Sequence, residues 1–229
     1  MNIKKLKLLL PATVLSLSFL AGSCSDDNAP GIETNKDGTI SVIEGKIFNE
    51  LDESVEIKTV GGCLWDDWDN IYVVSMAPFE NGGFRMELPP EVTDESYLEL
   101  LYPVFAEIPE IKFSDTKVKY RELEIFANRG SEIEMGAYDV YLQTVDPALS
   151  KVPDKGAYCI FTYVDRDVTI TGKVTSESEL DPLAVSEIDL SLKKGWNAVY
   201  SEFDYTSKPA RTKSSTKAPS GLKWWVDID

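Results

Sequence analysis

Apolar and polar side chains alternate one for one along much of this chain, a period that fits a strand and not a helix. Ile40 and Val42 alternate with polar neighbours, then the apolar face shifts to Ile43, Gly45 and Ile47, as at a bulge or a switch of sheet. Phe84, Met86 and Leu88 oppose Arg85 and Glu87, and Leu123, Ile125 and Ala127 oppose Glu122 and Glu124. The pattern returns at Tyr138–Leu142, Val168–Val174, Ile188–Leu192 and Leu222–Ile228, where Leu222, Trp224, Val226 and Ile228 are expected inward and Trp225 outward. Ile71 to Met76 is apolar on both faces, which predicts a central strand. Asn81-Gly82-Gly83, Asn128-Arg129-Gly130, Asp154-Lys155-Gly156 and Lys193-Lys194-Gly195 supply turns between the strands. Only Thr93 to Phe105 reads as a short helix, and an extended reading fits almost as well. The expected fold is all-β, a mainly antiparallel β-sandwich with very little helix. It is built as one body, as two small packed β units, or with a barrel-like closure.

The first 23 residues stand apart from this pattern. Lys4, Lys5 and Lys7 precede an apolar run from Leu8 to Leu20, an n-region and h-region in order. The run is shorter than the roughly 20 residues a membrane span needs. It ends in Leu20-Ala21-Gly22-Ser23-Cys24, which resembles the lipobox of bacterial lipoproteins, with Ala21 where that family usually has leucine. The resemblance implies a signal peptide over 1–23 and acylation of Cys24, hence outer-membrane attachment through lipid. Ser25-Asp26-Asp27-Asn28 resembles the acidic export signal of Bacteroidetes surface lipoproteins, which implies display at the cell surface. Residues 24–38 read as the acylated cysteine and a flexible, Pro- and Gly-punctuated tether. Without residues 1–23, 20 basic and 39 acidic side chains leave a charge of −19. That charge excludes nucleic acid and opposes an anionic surface as a partner for the body.

Ile43-Glu44-Gly45-Lys46-Ile47, with Asn81-Gly82-Gly83-Phe84-Arg85-Met86-Glu87-Leu88-Pro89 further on, resembles the small transthyretin-like sandwich domains of secreted bacterial proteins. This implies a first β part over 39–105 and a second, over 106–229, packed on it. The second half resembles uncharacterised Bacteroidetes surface lipoproteins through Tyr163-Val164-Asp165-Arg166-Asp167-Val168, Leu192-Lys193-Lys194-Gly195-Trp196-Asn197 and Gly221-Leu222-Lys223-Trp224. That family implies a location and a β-fold, and no catalytic residue.

The chain has no histidine, which removes Ser-His and Cys-His catalysis and histidine-held zinc or haem. No catalytic residue, metal site or cofactor is assigned, and the chain reads as a protein that is not an enzyme. S-x-x-K occurs four times, at Ser114, Ser191, Ser214 and Ser220, all outside helical patterns. Glu132 and Glu134 read as a solvated strand face. Trp65, Asp67, Trp68 and Asp69 crowd a turn, where indoles can stack on sugars and carboxylates can accept from hydroxyls. The same residues can simply make the turn. Cys63 and Cys159 can pair as a disulfide in an oxidising envelope or stay as two buried thiols. Residues 206–220, with four cations and no acid, read as a long loop. The expected function is a non-catalytic binding module on the outer membrane, with a glycan or another envelope protein as partner. The alternative is a structural or assembly component of an outer-membrane complex.

Overall fold

The structure is a computed structural model that describes residues 31–49, 55–65, 70–105, 108–131, 137–148, 153–176 and 184–228. The described strands are β1 (Ile32–Thr34), β2 (Ile40–Lys46), β3 (Thr59–Trp65), β4 (Ile71–Pro78), β5 (Gly83–Glu87), β6 (Glu99–Leu100), β7 (Lys112–Phe113), β8 (Lys119–Asn128), β9 (Tyr138–Gln143), β10 (Lys155–Val164), β11 (Val168–Ser176), β12 (Ala184–Leu192), β13 (Gly195–Asp204), β14 (Arg211–Ser215) and β15 (Lys223–Val226). The protein is an all-β sandwich. Strands β1, β2 and β5 form a small antiparallel sheet. The others form one large sheet in the order β4-β3-β8-β9-β10-β13-β14-β12-β11-β7, with β6 on β8 and β15 on β9. Its ends at β4 and β7 do not meet, so the barrel-like closure is not formed.

The middle of the large sheet is the long antiparallel pair β10–β13, in register from Lys155↔Asp204 to Val164↔Gly195. Alternation along this pair feeds two cores. Phe161 and Tyr163 of β10 and Trp196 and Tyr200 of β13 enter the first, which the small sheet closes with Ile43, Phe84 and Met86. Val164 and Val199 leave the other face and enter the second, with Val168, Ile170, Leu190 and Leu192. The β12–β11–β7 half therefore curls back over the lower part of that face. Polar groups pin the join. Asn197 Nδ2 donates to the carbonyls of Lys193 and Gly195, and Trp196 Nε1 donates to Pro89 O at 2.8 Å. At the β4–β5 turn Asn81 and Gly82 take φ of 54° and 76°, a left-handed pair that Asn-Gly adopts readily.

Four expectations change. The Ile71–Met76 strand is β4, an edge strand, and Val73 is 49% exposed. Burial on both faces falls instead on β3 from Val60 to Leu64, on β10 from Phe161 to Val164 and on the first half of β13. The basic stretch 206–220 contains β14, which runs antiparallel to β13 and parallel to β12. Residues 93–105 hold two short 3-10 turns, the first capped by Asp94, whose carboxylate accepts from Ser96 N. Trp225 is buried rather than outward, because Phe48 packs edge-on against it at 5.0 Å. Residues 39–105 and 106–229 share sheet and core: β3 pairs with β8, β6 with β8, and Ile47 bridges to Trp224.

Candidate functional site

Among the described residues, the face of the large sheet that carries the second core is closed at its lower end by that core and is partly open above it. Register fixes what stands on the remainder. Cys63 pairs with Glu124, Phe126 with Asp139, Trp225 with Tyr141, Tyr158 with Gln143 and Thr162 with Glu122, so all these side chains share one face. Tyr141 and Tyr158 are each 39% exposed. Trp65, two residues beyond Cys63, stands at the rim with its ring edge-on to Phe126 at 6.4 Å. Arg121 Nε donates to Trp65 O at 2.6 Å and its Nη1 to Glu99 at 2.8 Å, which holds the end of β3 in place.

Three strands that each run antiparallel to the others cannot lie flat side by side, and the sheet opens where they meet. Strand β8 pairs with β10 at residues 120–123 and then diverges from it. Strand β9 crosses the gap, touching β8 at Tyr138 and Asp139 and β10 at Leu142 and Gln143. The opening is a concavity of about 380 Å³ lined by Glu122, Glu124, Asp139, Tyr141 and Ile160 among others. Burial raises the carboxyl pKa of Glu122, with Glu124 and Glu99 adding and Arg121 opposing. Burial likewise raises Glu124, with Asp139 adding. Both glutamates keep much of their surface in water, so the shift reflects crowding in a concave site. The Tyr141 hydroxyl donates to Asp139 Oδ2 at 3.1 Å, and burial pushes its own pKa up to about 12. Trp65 Nε1–H is buried beside Glu124 without reaching hydrogen-bond geometry.

Of the residues singled out in the sequence, Trp65 lies at this site, while Asp67, Trp68 and Asp69 fall outside the described residues, as do Cys24, Glu132 and Glu134. Cys63 and Cys159 are free thiols. The reason is directional. Cys63 leaves the sheet on the Glu124 side, and Cys159, two residues from Phe161, leaves toward the first core. Burial pushes the Cys63 thiol up to about 12 and Cys159 upward too, so neither is a ready nucleophile. No cluster of three metal-ligating side chains occurs among the described residues. Tyr141, Tyr158 and the Glu122–Glu124–Asp139 group were not singled out in the sequence. Their alternation is visible there, but the gap that gathers them comes from strand residues 11 or more positions apart pairing at an angle.

Compared with known proteins, the chain matches no family model, no curated protein and no solved structure.

Proposed function

We propose that this protein is a lipid-anchored outer-membrane lipoprotein, displayed at the cell surface, whose open sheet face binds neutral glycans without catalysis. The observation that carries the reading is the pair of half-exposed tyrosines, Tyr141 and Tyr158, beside a carboxylate-lined concavity. An aromatic face offers a sugar ring an apolar surface, and carboxylates accept from its hydroxyls. The site is rich in acceptors, while Arg121 at its edge is engaged with Trp65 and Glu99. A uronate or sulfate would meet repulsion there, so the ligand is neutral.

The test is a glycan array probed with the mature chain and with Tyr141→Ala and Tyr158→Ala. Loss of one stacking ring is worth about 0.5–1.5 kcal/mol, so each variant should bind roughly two- to twelvefold more weakly. The melting temperature should stay nearly constant and anionic glycans should stay unbound. An unmodified chain that binds no glycan would favour the assembly component, for which the β4 edge, unpaired among the described residues, with its exposed Val73 is the supporting feature.

A further inference from the structure

A larger groove, of about 990 Å³, lies at the end of the small sheet, between the β4–β5 turn and β15. Its lining includes Gly45, Lys46 and Phe84 of the small sheet, Asn81 of the turn, and Lys223 and Trp224 of β15. Trp224 is 3% exposed, and its indole Nε1 is buried with no hydrogen-bond partner among the described residues. Two lining glycines bring the backbone against that nitrogen. A Cβ on Gly45 would stand 2.2 Å from Nε1, and one on Gly31 would stand 3.2 Å away. The N–H is buried behind this backbone and does not reach the groove surface.

The charges around the groove divide into those already paired and those still available. Arg85 is taken by Glu33 and Glu44, at 2.8 and 2.6 Å. Lys46 makes no ion pair among the described residues. Lys223 makes none either: its Nζ stands 3.5 Å from the centroid of Phe48, a ring that is 55% exposed. The lining carboxylates are Glu44, which is paired with Arg85, and Glu80. Two available ammonium groups and an exposed aromatic ring form an amphipathic rim of the type that settles at a membrane–water boundary.

Chain connectivity says which surface this rim meets. Gly31 itself lines the groove, and it lies only seven positions after Cys24. Fully extended, seven residues reach at most about 25 Å. We propose that the groove receives an anionic phospholipid headgroup of the membrane to which Cys24 is attached. The inference rests on the lipid-anchor part of the proposed function and is independent of the glycan part. The −19 charge of the mature chain opposes approach to an anionic surface at long range. Screening confines that repulsion to about 8 Å at physiological salt, and the anchor holds the groove at an effective concentration of about millimolar.

The experiment is co-sedimentation of the mature chain, carrying Cys24→Ala so that no acyl chain contributes, with phosphatidylcholine vesicles and with vesicles containing about a third phosphatidylglycerol. Binding is expected to the anionic vesicles only, and it should disappear at high salt. Lys46→Gln and Lys223→Gln should each weaken it about fivefold. Equal binding to both vesicles, binding unchanged by the two glutamine substitutions together, or no binding to either vesicle would overturn the proposal. Acyl mass on Cys24 is read separately on chain recovered from cells. Its absence would remove the anchor while leaving the vesicle result to stand or fall alone.

Discussion

Single side chains at the two faces of β15 show how closely this sandwich is fitted. A Cβ on Gly45 would stand 2.1 Å from Trp224 Cδ1, inside any allowed contact. The indole is fixed by Phe84 edge-on at 5.1 Å and by Phe161 stacked at 6.0 Å, so it has no room to retreat. Gly45→Ala should therefore destabilise by about 1–3 kcal/mol through overpacking. For a chain of this size that lowers the melting temperature by roughly 2–12 °C, measurable by circular dichroism. An unchanged melting temperature would mean that the indole does not lie on the Gly45 backbone. The cysteines give a second residue-scale outcome. Without reductant, a chain starting at Ser25 should show no thiol reactive toward a disulfide reagent while folded and two after unfolding. None after unfolding would mean that Cys63 and Cys159 are bonded, contrary to their placement on opposite faces.

Strands were legible in the sequence where one face meets water and illegible where neither does. The alternation of Phe84, Met86 and Leu88 or of Leu123, Ile125 and Ala127 reads directly as β5 and β8. Strands β10 and β13 serve a core on each face, so Ile160-Phe161-Thr162-Tyr163-Val164 shows no alternation and its central place stays hidden. The same two-faced apolarity in Ile71–Met76 has another cause at the sheet edge, where Val73 lies exposed on the open face and Tyr72 packs beside Tyr97 at 5.3 Å. Strand β14 was hidden by its cations, which tolerate a strand because Lys213 pairs in register with Glu187 and Glu202. Of the candidate site, Trp65 was legible as an aromatic at a turn. The β8–β9–β10 opening was not, because it depends on the angle at which distant strands meet. That opening carries an element-scale prediction. Glu122 and Glu124 have carboxyl pKa values raised in the fold above the usual 4.5, so their ionisation opposes folding. Their contribution to stability is full below pH 4.5 and is lost as pH rises through the raised values. The Glu122→Gln/Glu124→Gln variant should be more stable than the parent at pH 7, and the difference should vanish below about pH 4.5 in denaturant titrations. A variant less stable at pH 7 would contradict the sign.

At the scale of the whole molecule, two cores share one central pair of strands. Phe161 and Val164 lie three residues apart on β10 yet belong to different cores, so neither core can open without disturbing the β10–β13 ladder. Unfolding in denaturant should accordingly be a single transition, with tryptophan fluorescence and far-ultraviolet dichroism coincident. Two separated transitions would show that 39–105 and 106–229 are independent units after all. The same arrangement explains how one face stays available for binding. The curled β12–β11–β7 half covers the lower end of the sheet and leaves Tyr141, Tyr158 and the carboxylates above it in water. Hydrogen exchange of the mature chain with and without a bound neutral oligosaccharide tests this account most directly. Slowed exchange is expected on β9 and the first half of β10, around Asp139, Tyr141 and Tyr158. Protection confined to the opposite face, at Gly45, Phe84 and the β4–β5 turn, would contradict it.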